Sequence, residues 1–449
     1  VSSTVLWFRR DLRLRDHPAL HAAADAADRV VGLFVLDPAL WEGAGPARRA
    51  WLAACLEALD ESMGGRLVLR YGDPAREVPA VAGAVGAAEV HVSGECTPYG
   101  MRRDRRVAEA LGEVSLVPTG TPYAVDPGRV RNKAGEPYRV FTPFSRAWRD
   151  VPVEPPQQAP DVAWAGSDLD DADARARLAA AADGDGPDLP AVGEDAAVER
   201  WRAFVADDLA DYAQARDLPA ADRTSRMSPY LRFGVVHPRQ LLHQVRSHRG
   251  EGRHSYETEL AWREFYADVL LHHPDSAWRD LRPLDLDYDE PGDPVEAWRR
   301  GETGFPIVDA GMRQLAHQGW MHNRVRMITA SFLTKDLHVW WPVGARHFLD
   351  HLTDGDLASN NHGWQWVAGT GTDAAPYFRV FNPVTQGIRF DPSGDYVRRW
   401  VPELEHLAGA AAHEPWKHAE GYDHGYPEPI VDHADERREA LARYDRARA

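Results

Sequence analysis

Gly319-Trp-Met-His-Asn-Arg-Val-Arg-Met-Ile-Thr329 is the stretch from which the rest of the chain can be read. It has no proline, no glycine after its first residue and several long side chains, so most of it is expected to be helical. On a 3.6-residue period Trp320, Asn323, Arg324 and Met327 share one face. That face mixes an indole, an amide, a guanidinium and a thioether, where a helix of the core would repeat Leu and Val. Alone it reads as an amphipathic helix with a polar edge. Two more dense stretches repeat the mix, Glu259-Leu-Ala-Trp-Arg-Glu-Phe265 and Asp354-Gly-Asp-Leu-Ala-Ser-Asn-Asn-His-Gly-Trp-Gln-Trp366. Three such stretches point to a built site.

Around them the pattern from Glu194 onward stays helical, punctuated by Pro and Gly, with few alternating strands and no internal repeat. The first part differs. Thr4–Phe8, Val30–Leu36, Leu67–Arg70, Glu89–Ser93 and Val114–Val117 read as strands, the second a continuous apolar run suited to burial on both faces. Helical patterns at Ala19–Ala27, Arg48–Met63, Pro74–Val85 and Met101–Leu111 separate them. Such alternation predicts a doubly wound parallel sheet. Residues 131–195 are rich in Pro, Gly, Ala and Asp, with VPVEPPQQAP and ADGDGPDLP as breakers, and read as a surface linker that Phe141-Thr-Pro-Phe144 pins at its start. The expected architecture is an α/β doubly wound domain over 1–130, a linker over 131–195 and a larger all-α domain over 196–449.

Composition narrows the class. The 449 residues leave room for two or three domains with a sizeable core. Cys55 and Cys96 are too few for a zinc cluster and are not expected to form a disulfide, which suits a reducing cytosol. No signal peptide is expected at the N-terminus, and no apolar run is long enough to cross a bilayer. Neither G-x-G-x-x-G nor a G-x-x-x-x-G-K loop follows the first strand, which disfavours an ordinary dehydrogenase or kinase. The net charge of -17 argues against a nucleic-acid partner only at first sight, because phosphate binding needs a local basic patch. The cations are nearly all Arg, whose fork suits phosphate; Lys occurs only at 133, 335 and 417. Sixteen tryptophans are many, and most read as large core fillers.

In this order, the motifs resemble the catalytic half of the photolyase and cryptochrome flavoproteins. The matching residues are Glu259-Leu-Ala-Trp262-Arg263-Glu-Phe265, Trp320-Met-His-Asn323-Arg324-Val-Arg326-Met327, Asp354-Gly355-Asp356, Asn360-Asn361-His-Gly-Trp364-Gln-Trp366 and Thr370–Pro376. The resemblance covers nearly the whole chain and is closest to the class I cyclobutane pyrimidine dimer photolyases. It implies a light-driven DNA repair lyase carrying FAD, active in its reduced form, with UV-damaged DNA as partner. The enzyme is expected to be cytoplasmic and monomeric, with no metal and no membrane. The alternatives are a cryptochrome-like photoreceptor without repair, which predicts an extended C-terminal tail where this chain ends soon after Arg438, or a photolyase for another lesion.

Residue by residue, the resemblance implies the following roles. Thr224, Ser225, Arg226, Met227 and Ser228 precede a helix; their hydroxyls suit N-capping, and in the family pattern they hold the FAD pyrophosphate. Tyr212, Tyr256 and Arg263 flank the cofactor, Tyr256 standing where relatives often have Trp. Arg326 and Asp354 form a pair beside the isoalloxazine, followed by Gly355 and by Asp356 at the ribityl or ring edge. Asn360 faces flavin N5, where plant cryptochromes carry Asp. Glu259 and Asn323 hydrogen-bond the dimer, Trp262 and Trp366 wall it, and Met327 stands where (6-4) photolyases have His. Arg324 and Arg379 contact phosphates. Trp364 and Trp341 are the inner members of the photoreduction relay. The third position, ten residues before Trp298, is Tyr288 rather than Trp, so photoreduction is expected to be slower or to use another surface aromatic. The opening motif Trp7-Phe8-Arg9-Arg10-Asp11-Leu12-Arg13 reads equally as a buttressing turn or as part of an antenna site. Glu95–Asp104 leans toward an 8-hydroxy-5-deazaflavin antenna over methenyltetrahydrofolate.

Overall fold

A computed structural model describes residues 1–182, 189–372 and 379–448. Five strands, β1 Ser3–Phe8, β2 Arg29–Leu36, β3 Val68–Tyr71, β4 Glu89–Val92 and β5 Ser115–Pro118, form one parallel sheet in the order β3-β2-β1-β4-β5. Val5 pairs with Val31 on one side and Val90 on the other. The apolar runs of β1 and β2 are buried, as expected of strands covered by helices on both faces. The helices start earlier than the apolar pattern alone suggests. Pro18–Ala26, Pro46–Ser62 and Pro98–Leu111 each take a proline into the first turn, where the missing N–H has no helical partner to lose. Thr97 caps the last of these by accepting from Gly100 N at 3.1 Å.

The chain from 131 to 195 is more structured than its composition suggests. Phe141–Arg149 is a helix with Trp148 fully buried, Ala172–Ala182 is another, and Trp164 bridges to Val30 in parallel fashion. Aromatic residues spaced along it find partners on the helical half: Phe141 stacks on Trp262 with centroids 3.6 Å apart and planes at 6°. Residues 183–188 of the ADGDGPDLP run lie outside the described residues.

The second half is helical among the described residues from Gly193–Asp207 onward. Its long central helix is Glu251–His272. Packed near it are Asn323–Ser331, which continues as the π-helical turn Phe332–Asp336, then Trp341–His351 and Leu357–Ala368. The core here is built on Trp298, Trp341, Phe332 and Tyr396, all fully buried. One expectation is corrected. Trp320 does not share a helical face with Asn323, Arg324 and Met327. Gly319, at φ 60°, ends the helix Pro306–Gln318, and His322 caps the next by accepting from Arg324 N at 3.2 Å. Trp320 sits in the connection between the two, with the Arg226 guanidinium 4.2 Å above its ring. A left-handed glycine and a histidine cap outweigh the helix propensity of the intervening side chains.

The two halves interlock. Leu12 N donates to Phe233 O at 3.1 Å and Arg13 Nη1 to Gly234 O at 3.0 Å. A Cβ on Gly234, whose φ is 64°, would lie 1.9 Å from Arg10 O, so glycine is required on both conformational and steric grounds.

Candidate cofactor and substrate site

The site begins where the sheet's strand order reverses, between β1 and β4, the usual place for a ligand crevice in such sheets. Here the opening carries a polar network. Arg9 pairs with Asp104 at 2.5 Å and donates to Ser93 O; Asp11 accepts from Ser93 Oγ at 2.5 Å. Glu95 accepts from Cys96 N and Thr97 N, and Tyr99 donates to Asp37. The side chains of the opening motif and of the Glu95–Asp104 loop thus engage one another. Arg10 reaches across to the helical half, where Nη2 meets Asp356 Oδ2 at 2.7 Å. Burial alone would raise the Asp356 pKa; the guanidinium groups of Arg10, Arg232 and Arg263 and the Ser359 N–H reverse this and hold it well below the usual carboxylate range. The same Asp356 caps Leu357–Ala368, accepting from Ser359 N at 3.0 Å. One carboxylate therefore fixes both the helix that carries Asn360, Trp364 and Trp366 and the contact to the sheet.

Asp354 and Arg326 form an ion pair at 2.8 Å, with the carboxylate side chain only 3% exposed. Arg326 Nε also donates to Met321 O at 2.8 Å. Asp354 Oδ1 is buried without a hydrogen-bond partner among the described residues. Between these two aspartates Gly355 passes its carbonyl to Arg232 Nε at 2.8 Å. Asn360 is held by donation to Ala345 O at 3.1 Å and to Asn361 Oδ1 at 2.8 Å, and Asn361 in turn donates to Ala277 O.

Thr224–Ser228 does not cap a helix through its hydroxyls. Met227 occupies the cap position of Ser228–Phe233 with no side-chain cap bond, and Ser228 is the first helical residue. Ser225 Oγ instead accepts from Met227 N at 3.3 Å and pairs with Tyr256 Oη at 3.0 Å. Arg226 adopts a positive φ of 50° and pairs with Asp222 at 2.7 Å. Thr224 Oγ1 is a second buried oxygen with no hydrogen-bond partner among the described residues. Tyr212 and Tyr256 pack edge to face at 5.3 Å within a cluster that includes Trp201 and Phe204. Burial raises both phenol pKa values, so they stay neutral donors. Arg263 donates to Pro122 O at 3.1 Å and Leu231 O at 3.2 Å, touching both halves of the chain.

On the long helix, Tyr256, Glu259 and Arg263 recur at helical spacing. Glu259 Oε1 meets Arg216 Nη1 at 2.6 Å while remaining about one-third exposed. Trp262 is half-buried, one face stacked on Phe141. Asn323 is exposed at the start of its helix and Met327 half-buried one turn on. Arg324 pairs with Asp217 at 3.0 Å and lies 4.3 Å over the Phe390 ring. Trp366 is half-buried and Trp364 buried, the latter 6.2 Å from Trp298. Asp373–Pro376 of the last motif lie outside the described residues, and Arg379 is exposed just beyond them. Arg216, Asp217, Arg232 and Arg10 were not singled out as parts of this site. Arg216 carried one signal, standing one helical turn after Tyr212. A separate cleft of about 720 Å³, lined by Arg15, Gln158, Asp195, Val198, Glu199 and Arg202, shares no residue with this set.

The set suits a large polar group that can donate hydrogen bonds as well as accept them. It offers two buried oxygens in want of partners, two buried carboxylates already neutralised by Arg, and neutral phenols beside an aromatic cluster. Comparison with known proteins agrees. Residues 4–161 match the DNA photolyase family and residues 256–446 the FAD binding domain of DNA photolyase. A deoxyribodipyrimidine photo-lyase of Streptomyces griseus is 46% identical, the match covering 100% of this chain and 99% of that protein. A bacterial class III photolyase from Agrobacterium tumefaciens superposes with a TM-score of 0.91 at 36% identity, covering 100% of this chain and 98% of that one. A Synechocystis cryptochrome superposes at 0.87 and 27% identity, covering 98% of each. This chain belongs to the photolyase/cryptochrome family.

Proposed function

We propose that the chain repairs cyclobutane pyrimidine dimers in DNA by light, as a class I photolyase, working as a cytosolic monomer. The observation that carries the reading is the pairing of Glu259 with Arg216 on the helix that also places Tyr256, Trp262 and Arg263. A carboxylate about one-third exposed and held by a guanidinium can accept a hydrogen bond from a base without wandering. When bound, FAD supplies light-driven one-electron donation to the dimer; the protein's part is binding, orientation and electrostatics. Thr224–Ser228, Tyr212 and Tyr256 would hold its polar chain. Arg326, Asp354, Gly355, Asp356, Arg263 and Asn360 would hold the rest. Asn360 keeps a neutral amide there, which adds no charge to the pocket.

Glu259 and Asn323 would position the two bases, with Trp262 and Trp366 as aromatic walls for a dimer taken out of the stack. Met327 offers no proton, which favours the cyclobutane lesion over one that needs an acid at that place. Arg324 would exchange its pairing with Asp217 for a backbone phosphate, with Arg379 beside it. Trp364 and Trp341 would form the inner part of the relay by which the flavin is re-reduced in light, with Tyr288 or another surface aromatic at its outer end. A second chromophore at the sheet's crevice is read as 8-hydroxy-5-deazaflavin rather than methenyltetrahydrofolate. Glu259, Asn323 and Met327 support the cyclobutane lesion; the class I placement is proposed from the motif resemblance, beside a class III photolyase that is 36% identical over the whole chain.

The test is Glu259→Ala. Bound flavin, read from its absorption, should be unchanged, and light-dependent splitting of a thymine dimer in an oligonucleotide should drop severely. Undiminished splitting would remove the assignment. Wild-type protein that binds flavin yet splits no dimer would be a photoreceptor of the cryptochrome kind.

A further inference from the structure

Trp340 and Trp341 are consecutive indoles at the start of the helix Trp341–His351, with ring centroids 6.3 Å apart. Trp341 is fully buried and Trp340 is 38% exposed. On the inner side, a Cβ on Gly344, one turn beyond Trp341, would fall 2.2 Å from Trp364 Cη2, so this helix lies hard against the Trp364 ring. On the outer side, both indole N–H groups donate to one oxygen, Asp280 Oδ1, at 2.6 Å from Trp341 and 3.3 Å from Trp340. Tyr288 lies next to Trp340, with ring centroids 6.4 Å apart. Its phenol oxygen is buried without a hydrogen-bond partner among the described residues.

These facts separate the two candidates for the outer end of the relay. An oxidised indole is a radical cation, and a carboxylate at its N–H stabilises that charge and can take the proton. An oxidised phenol must shed its proton as the electron leaves. Burial and the neighbouring Asp280 carboxylate raise the pKa of Tyr288, and no acceptor among the described residues meets its oxygen. Resting on the photo-lyase reading above, we infer that Trp340, not Tyr288, is the surface electron donor of the relay, with Asp280 as the positioning residue that holds the charge at the indole pair.

The electron count is simple. When bound, photoexcited flavin would supply the one-electron oxidant; Trp364 would give up one electron, and Trp341 would refill Trp364. Trp340 then gives one electron to the Trp341 radical cation, which returns to neutral indole. The Trp340 radical cation loses its N–H proton to Asp280 or to water, leaving a neutral indolyl radical. A soluble thiol reduces that radical and restores the indole.

The experiment uses the full chain with flavin bound. Under steady illumination with thiol present, Trp340→Phe should lower the rate of flavin photoreduction by about tenfold or more, while Tyr288→Phe stays within about twofold of wild type. Asp280→Asn should fall between them. Transient absorption on the unmodified protein gives a second readout that needs no variant to fold: the long-lived radical should carry the indolyl spectrum. A tyrosyl spectrum, or Trp340→Phe photoreducing like wild type, overturns the inference alone. Wild-type protein that takes up no flavin sinks the photo-lyase reading and this inference with it.

Discussion

Asp354 shows what a single carboxylate carries in this site. It is buried, one oxygen is paired with Arg326, and the other has no hydrogen-bond partner among the described residues. Removing it would leave a guanidinium that is three-quarters buried without its counter-charge. Asp354→Ala should therefore cost roughly 3 kcal/mol of stability, seen as a lower midpoint in urea, and reduce the flavin-to-protein ratio of the purified protein. A variant that melts like wild type and keeps its full flavin would show the pair to be incidental. The pair was legible through the resemblance of both motifs to the family pattern. The partners of other site residues were not. Arg216 beside Glu259, Asp217 beside Arg324 and Asp280 beneath the two indoles stand in stretches of ordinary composition. Only folding brings such charges together, and periodicity carries no information about it. The tryptophan doublet is the one mark in the sequence that sets Trp340 apart.

At the scale of the element, Asn323–Ser331 depends on the residue before it. His322 accepts from Arg324 N through Nδ1, and its backbone N–H donates to Gln314 Oε1 at 3.4 Å. Burial, with Arg326, Arg324 and Arg226 nearby, pushes the imidazole from its ordinary 6.5 down to about 4, against the pull of Asp217. The folded chain thus keeps His322 neutral over a range where the unfolded chain binds a proton. Stability from this group is present above about 6.5 and is lost as pH falls toward about 4, by at most about 3 kcal/mol. His322→Asn, which can still cap, should flatten that part of the profile in melts recorded across the window. An unchanged slope would mean the imidazole is not sealed from protons. The same cap explains why the helical reading of Gly319–Thr329 succeeded only from Asn323. Propensity was legible, but the left-handed turn at Gly319 and the histidine cap were not, because neither breaks the run of long side chains.

For the molecule as a whole, the strand-and-helix alternation and the long helical half were plain in the sequence, since each rests on a repeat of hydrophobic residues. The packing between them was not. Glu264, fully enclosed on the long helix, accepts from Ala124 N at 2.5 Å, Val125 N at 3.0 Å and Trp148 Nε1 at 2.6 Å, so one side chain gathers two distant segments onto its helix. Glu264→Gln should cost about 1–3 kcal/mol, because an amide turns one acceptor into a donor facing N–H groups. Thermal melts should record the loss with the fold's circular dichroism retained; an unaltered midpoint would count against the clamp. The contact between Arg10 and Asp356 has a wider consequence. The sheet lends a cation to the pocket of the other half, and Gly234 leaves just enough space for the loop that delivers it. A chimera built by grafting a foreign α/β module onto this helical portion would have to bring an arginine at that place and tolerate so tight a seam. Exchange of modules between such enzymes is thereby restricted to donors already cut to the same joint.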